Sequence, residues 1–357
     1  MAFKDVNDIV RGRAPLRIGL AGGGTDVSPY CDTYGGAVLN VTINLNAYAT
    51  ILPSPDGRVR FVATDMGVEE EIDLAPNYPT GEGLRLHRGV YNRIIRDFCD
   101  GRPIPLTLVT SVDTPFGSGL GSSSALTVAL VEAFRGLLDL PLGEYDVAHL
   151  AYIIERLDIG LNGGRQDQYA ATFGGVNFIE FAENDRVIVN PLRVRPTILH
   201  ELESSMLLFF TGASRHSAEI IDRQSEAVRS GDTASLAAMH QIKQDAIDLK
   251  AALLQGQIHR IAEIYKRSWH AKKSAVEGIT NERIETIYDT MMNAGALAGK
   301  VSGAGGGGFM MFMVDPIDRE RAVAVLDKME GHVVRLSFTN EGSTFWKMRW
   351  SMEGEGG

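Results

Sequence analysis

The sequence predicts an α+β protein built as two domains, and three observations predict it. At 357 residues the chain is long for one hydrophobic core. Its first half reads mainly as strands interrupted by glycine-rich loops, and its second half mainly as long amphipathic helices. Between them, Pro191-Leu-Arg-Val-Arg-Pro196 reads as a crossing, which divides the chain into 1–195 and 196–357.

Taken in order, Arg13–Ala21 reads as a strand running into Gly22-Gly23-Gly24-Thr25-Asp26. Gly36–Leu52, rich in β-branched residues, is expected to pair with Arg58–Ala63 across the Pro53-Ser-Pro-Asp-Gly57 turn. Leu84–Arg88 is a basic run read as the solvated start of a helix over Gly89–Asp97. Ile104–Ser111 is a short buried strand, and Ala125–Leu138 is a helix nearly continuous in Ala, Leu and Val. A second buried helix, about Tyr145–Leu157, carries Glu155 at the end of its apolar stretch. Phe178–Phe181 and Val187–Val189 form a hairpin. Beyond the crossing come a strand at Met206–Phe210 and helices at Ser214–Arg229, Ser235–Leu254, Ile258–Trp269 and Gly278–Ala298. A helix over Asp318–Glu330 and strands near Val333–Ser337 and Ser343–Trp350 are expected to complete a small α+β unit.

The bulk properties exclude several function classes. With 44% hydrophobic and 22% charged residues, the chain has an ordinary globular composition. A net charge of −10 argues against a nucleic-acid-binding surface. Cys31 and Cys99 are too few for a disulfide framework or a zinc site and read as core residues. No apolar run reaches the roughly 18 residues that span a bilayer, and Met1–Val10 lacks a signal-peptide layout, so the expected compartment is the cytoplasm, with no membrane partner.

The chemistry concentrates in Pro115-Phe-Gly-Ser-Gly-Leu-Gly-Ser-Ser-Ser-Ala125, which lies between a strand and a helix. Gly117, Gly119 and Gly121 permit turns closed to other residues and bring backbone N–H groups close to a ligand. Ser122, Ser123 and Ser124 are expected to supply a helix cap and hydroxyl ligands where the helix dipole favours an anion. A polyphosphate suits such a loop. It is not a lysine-bearing P-loop, because no lysine occurs between Lys4 and Lys243. Nor is it a dinucleotide fingerprint, since Ser122 holds the third glycine position. Gly303, Gly305 and Gly308 do satisfy G-x-G-x-x-G, but the following Phe309-Met-Met-Phe-Met-Val314 is a strand, where a dinucleotide loop must open a helix.

Pro115–Ala125 resembles the P-x-x-x-G-L-G-S-S-A loop of the GHMP kinases, the family of galactokinase, homoserine kinase, mevalonate kinase and phosphomevalonate kinase. Arg13–Asp26 and Lys300–Phe309 resemble the other two motifs of that family, in the same order. The resemblance implies an N-terminal domain like ribosomal protein S5 domain 2 and a C-terminal ferredoxin-like α/β sandwich. It implies ATP held by Pro115, Gly117, Ser118, Gly119, Leu120, Gly121, Ser122, Ser123 and Ser124, and Mg²⁺ held by Ser123 and Glu155. On the residues alone, Glu155 pairs with an arginine such as Arg156 or binds a metal. Asp167 falls at the position of the catalytic base, Arg17 near the transferred phosphate, and Gly22, Gly23, Gly24, Thr25 and Asp26 in the sugar-binding motif. Gly305 and Gly306 belong to the third motif and are expected beside the substrate. Locally, Asp26 and Asp167 read equally well as helix caps.

Gly163–Gly175, Ala21–Asp26 and Thr211–Arg215 resemble the branch that phosphorylates D-glycero-D-manno-heptose 7-phosphate at its anomeric hydroxyl. A substrate carrying a phosphate needs a cation site of its own; Arg165 and Arg215, with Lys272 and Lys273, are the candidates, the two lysines reading also, and more readily, as a solvated face. With no lysine in the first domain, arginine and magnesium are expected to supply the positive charge for phosphoryl transfer. A kinase of unphosphorylated fucose or galactose, and a non-catalytic sensor on the same fold, are the alternatives. The oligomeric state stays open, a homodimer included.

Overall fold

The computed structural model describes residues 8–115, 117–212 and 217–349. Strand β1 (Asp8–Ala21) runs through a tight turn and the short helix α1 (Tyr30–Tyr34) into β2 (Gly36–Pro53), and the two strands pair antiparallel. Next come β3 (Val59–Ala63), β4 (Val68–Ile72), helix α2 (Arg85–Phe98) and β5 (Leu106–Val112). The expected β2–β3 pair does not form. β5 lies between them, antiparallel to β2 and parallel to β3, because its alternating burial fits the middle of the sheet. The basic run before α2 is part of that helix. Within it, His87 is buried and its Nε2 lies 2.8 Å from Thr110 Oγ1, so the solvated reading fails there.

Helix α3 (Ser122–Leu138) is buried almost all round and crosses β1 at Gly12, where a Cβ would stand 2.1 Å from Ala129 O. Only a residue without a side chain lets helix and strand approach so closely. Helix α4 (Glu144–Tyr152) continues as a wider π turn over Ile153–Asp158, with Ile159 N donating to Ile154 O five residues back. Helix α5 (Gln166–Phe173) then leads to the hairpin β6 (Val176–Phe181) and β7 (Val187–Pro191), where β6 joins the sheet beside β2.

Helix α6 (Pro196–Ser205) opens the second half and delivers β8 (Met206–Phe210). Then follow α7 (Ser217–Arg229), α8 (Thr233–Gln255), α9 (Ile258–Ala275) and α10 (Glu282–Asn293). Asp232 caps α8 by accepting from Ser235 N, and Gly256, in the left-handed region at φ 73°, ends it. The remaining elements are β9 (Ala298–Val301), β10 (Phe309–Met313), α11 (Arg319–Leu326), β11 (His332–Val334) and β12 (Thr344–Arg349).

Strands β11, β8, β10 and β9 make a four-stranded antiparallel sheet in that order. β10 is buried on both faces with a period of two. Phe309, Met311 and Met313 face the main core, which continues into the first half, whereas Met310 and Phe312 face a smaller core that includes Trp269 and Ile287. The last strand corrects the expected C-terminal unit: β12 pairs antiparallel with β1, Asp8 opposite Arg349 through Arg13 opposite Thr344. The free edge of β1 takes it, which closes that edge of the eight-stranded sheet. No helix among the described residues is long and apolar enough to cross a membrane.

Candidate active site

A cavity of about 430 Å³ opens where α3, α5, the turn after β1 and the Ser302–Gly308 loop converge. Its floor is the glycine loop. Gly121 precedes α3 at φ 76° and no side chain caps the helix, so the expected serine cap is absent. The serines turn elsewhere: Ser123 Oγ donates to Glu155 Oε1 at 2.7 Å and Ser124 Oγ to Glu155 Oε2 at 2.8 Å. The first-turn amides of α3 therefore remain open to an anion, with the positive end of the dipole behind them.

Glu155 is 1% exposed, turned inward by the π segment. Besides the two serines, Gln168 Nε2 donates to Oε2 at 2.6 Å and Arg156 Nη1 lies 3.3 Å from Oε1. The arginine pairing foreseen for Glu155 is thus present, and Ser123 and Glu155 stand together at the cavity wall as two hard oxygen donors. That donor set fits Mg²⁺, which takes one or two protein oxygens and completes its shell with phosphate and water.

Arg17 rises from β1, 4% exposed, and holds three groups. Its Nε donates to Asp167 Oδ1 at 2.7 Å with Nη2 at 2.6 Å from the same oxygen, while Nη1 donates to Gly119 O at 2.7 Å. Asp167 is the second residue of α5 and its carboxylate goes to Arg17, so it does not cap the helix. A Cβ on Gly121 would stand 3.3 Å from Asp167 Cγ, which puts that carboxylate directly against the glycine loop.

Asp26 is also buried, at 1% exposure. It does cap a helix, but one 140 residues away. Its Oδ2 accepts from Gln166 N at 3.1 Å, the first amide of α5, and its Oδ1 accepts from Gln166 Nε2 and Gly24 N, each at 3.1 Å. Burial, and then the neighbouring Asp167 charge, raise its pKa above the ordinary carboxylate value.

Other expected residues separate. Gly22, Gly23, Gly24, Gly117, Gly119 and Gly305 line the cavity. Thr25 does not; its hydroxyl donates to Gly22 O and Ala37 O and locks the turn. Ser118 and Leu120 are fully buried and serve through their carbonyls, which accept from Phe309 N and Arg17 N. Pro115 is exposed outside the cavity, and Gly306 is turned away, its N–H donating to Ile279 O. Arg165 lines a neighbouring cavity of about 160 Å³ that shares Asp26, Val27, Asn162 and Gly163 with the first. Its Nη2 lies 3.0 Å from Asp32 Oδ1 and 2.9 Å from Asp185 Oδ1, and it stacks on Tyr152. Its Nε and Nη1 are buried with no hydrogen-bond acceptor among the described residues. Arg215 lies outside the described residues.

Of the two lysines weighed as candidates, one reaches the cavity, and a third lysine joins it. Helix α9 brings Lys272, and β9 brings Lys300, to the cavity lining. Lys300 is buried, donating to Leu20 O at 2.5 Å under the Tyr265 ring, and ties the two halves together. Lys273, one residue on, turns away from the cavity to Glu285 at 3.2 Å, its ammonium over the Trp269 and Tyr288 rings. Sequence reasoning also passed over Gln166 and Gln168, which fix Asp26 and Glu155; their only signal was flanking Asp167.

Comparison with known proteins adds a second line of argument. Residues 85–175 match the family description "GHMP kinases N terminal domain" and residues 249–333 match "GHMP kinases C terminal". The chain is 46% identical, over 95% of its length and 99% of the relative's, to a D-glycero-alpha-D-manno-heptose 7-phosphate kinase of Campylobacter jejuni subsp. jejuni serotype O:2. The crystal structure of a D-glycero-D-manno-heptose 1-phosphate kinase from Bacteroides thetaiotaomicron superposes with a TM-score of 0.81 at 44% identity, covering 96% of this chain and 100% of that one. The galactokinase of Lactococcus lactis, complexed with galactose, shares the fold at 20% identity, with a TM-score of 0.74 and 96% of each chain covered.

Proposed function

This chain belongs to the GHMP kinase family, and on that premise we propose that it transfers the γ-phosphoryl group of ATP to the anomeric hydroxyl of D-glycero-D-manno-heptose 7-phosphate, giving the 1,7-bisphosphate. The observation that carries the reading is the Arg17–Asp167 pair set against the Gly117–Ser124 loop in one cavity with Asp26. Near-full-length identity of 46% to a heptose 7-phosphate kinase supports the acceptor.

In this reading the open amides at the start of α3 bind the β- and γ-phosphates. Asp26, already rigid through its three hydrogen bonds, orients the sugar. Asp167 takes the proton of the anomeric hydroxyl as its oxygen attacks phosphorus, and Arg17 holds that carboxylate in place. An anomeric hydroxyl is more acidic than an ordinary alcohol, which suits a carboxylate base. Mg²⁺, held by Ser123 and Glu155, would neutralise phosphate charge when bound. Arg165, with two unpaired buried donors beside the sugar end, is assigned to the substrate's own phosphate. The reading also divides the chain at 195/196, with β12 returned to the first sheet, and assigns the enzyme to the cytoplasm.

ADP release from Mg-ATP tests it across heptose 7-phosphate, free heptose, fucose and galactose, each repeated with Asp167→Asn. Turnover on heptose 7-phosphate, lowered about 10²–10⁴-fold by the substitution, is expected. Turnover on a free sugar alone would move the enzyme to another branch of the family. Inactivity on every sugar would favour a sensor.

A further inference from the structure

We infer that Lys272 is a catalytic residue of this site, the protein cation that meets the phosphoryl group in transit. The inference rests on the kinase reading above for the reaction, and on the geometry for the residue.

Arg17 was expected to serve the transferred phosphate, but both its Nε and Nη2 are spent on Asp167 Oδ1, and its Nη1 on Gly119 O. Arginine and aspartate together are neutral, and a base must stay ionised to act, so this pair offers the phosphoryl group little net positive charge. Apart from Mg²⁺, the positive charge must then come from another side chain in the cavity.

Three lysines come near from the second half, and their partners distinguish them. Lys273 is paired with Glu285. Lys300 is buried and committed to Leu20 O. Lys272 lines the cavity and, among the described residues, has one hydrogen-bond partner, the carbonyl of Gly303. An ammonium has three donors, and no carboxylate lies within ion-pair distance of this one among the described residues. It stands instead beside a like charge, Arg17, which the carboxylate of Asp26 partly offsets.

Its position follows from how the two glycine loops meet. Gly303 packs so tightly on Gly119 that a Cβ there would be 2.7 Å from Gly119 Cα, and Ser302 Oγ donates to Gly119 O at 2.8 Å. Of these two packed loops, the Gly119 carbonyl is held by Arg17 and the Gly303 carbonyl by Lys272. Both cations line the cavity with the glycine loop and Asp167, and the charge of Arg17 acts on Lys272. An arriving phosphoryl group relieves their repulsion and gives the ammonium a stronger acceptor than a carbonyl. Burial, and then Arg17, bring the Lys272 pKa down to about 8, so the amine is still mostly charged at neutral pH but titrates within reach. The ionisable groups facing it are Arg17 on β1, Asp26 in the turn after β1 and Lys300 on β9.

The step keeps its balance: the sugar oxygen bonds to the γ-phosphorus, the bond to the ADP oxygen breaks, and the hydroxyl proton goes to Asp167. Lys272 neither gains nor loses a proton; it stabilises the charge spread over the transferring oxygens.

The test is Lys272→Met beside Lys272→Arg, with circular dichroism checking the fold. For Lys272→Met, kcat should fall about 10²–10³-fold with KM for ATP and sugar within threefold of wild type. Lys272→Arg should recover a large part of kcat, and the fall in wild-type kcat above pH 8 should vanish in it, since arginine does not titrate there. A second readout needs no sugar: affinity for ADP with aluminium fluoride, a mimic of the phosphoryl group in flight, should drop in Lys272→Met while affinity for ADP alone holds. If wild type ignored heptose 7-phosphate, the substrate proposal would fail and this binding readout would still decide on Lys272. A kcat within threefold of wild type, a change confined to sugar KM, or unaltered aluminium fluoride affinity would overturn the inference.

Discussion

Gly164 lies beside the carboxylate of Asp26 so closely that any side chain must displace it. A Cβ built at Gly164 falls 1.9 Å from Asp26 Oδ2 and 2.5 Å from its Cγ. Atoms of this kind do not approach closer than 3.0 Å, so Gly164→Ala has to open the gap by about 1.1 Å. Asp26 cannot swing aside freely, because it is buried and its oxygens accept three bonds at 3.1 Å, from Gly24 N, Gln166 N and Gln166 Nε2. A shift of that size takes a 3.1 Å bond past the limit of a hydrogen bond. Losing two charged bonds, each worth about 1.5–3 kcal/mol, predicts destabilisation by about 3–6 kcal/mol. If Asp26 grips the sugar, KM for the acceptor should rise at least tenfold, with KM for ATP unchanged. The neighbouring glycine is the control. A Cβ on Gly163 meets Arg156 Cζ at 2.4 Å, the far end of a flexible side chain whose bonds to Gly164 O and Leu161 O are long at 3.2 Å, so Gly163→Ala should cost about 1 kcal/mol. Urea denaturation and steady-state kinetics on both variants decide. Wild-type stability and acceptor KM for Gly164→Ala would show that Asp26 is not fixed as described.

Glu155→Gln places an amide N–H₂ among the donors of Ser123, Ser124 and Gln168, and should destabilise by about 2 kcal/mol while raising the Mg²⁺ concentration for half-maximal ADP release more than tenfold; an unchanged Mg²⁺ midpoint would refute the ligand assignment. His87 is buried and burial pushes its pKa down to about 4, so it stays neutral in the folded protein but protonates near 6.5 when unfolded. Its contribution is therefore complete above pH 6.5 and is lost as pH falls towards 4, about 2 kcal/mol by pH 5; denaturant titrations against His87→Gln should show this slope flattened in the variant. Gly303→Ala sets a Cβ 2.7 Å from Gly119 Cα at a φ of +72°, with backbone on both sides and no slack. Calorimetry with a non-hydrolysable ATP analogue should find nucleotide affinity at least tenfold weaker, and unchanged affinity would mean the loops part without consequence.

Much of the fold was legible because its signals are local. Alternating burial along β1 and β5, the apolar girth of α3 and the strand after Gly308 all follow from patterns within a dozen residues. Pairings between distant segments were not legible in this way. Nothing within Arg58–Ala63 reveals that β5 rather than β2 will be its neighbour, and nothing in Thr344–Arg349 announces a return to β1 across 330 residues. Strand propensity says that an edge will be sought; which edge is vacant depends on every other strand.

The site divides along the same line. The sequence by itself determined the parts whose chemistry lies in one contiguous run: the glycine loop that frees the amides of α3, and the acids Asp26, Glu155 and Asp167, whose residue types narrow their uses to capping, pairing, metal binding or base chemistry. Tertiary structure decided among those uses. It made Asp26 the cap of a helix 140 residues away, gave Asp167 to Arg17, and turned Ser123 and Ser124 from the helix end to Glu155. It also brought Lys272 on α9 into a site whose first half has no lysine within reach. The physical reason is range: backbone conformation is set by neighbours in sequence, whereas charge acts through space, so which cation faces which acid is settled only when the two halves close on each other.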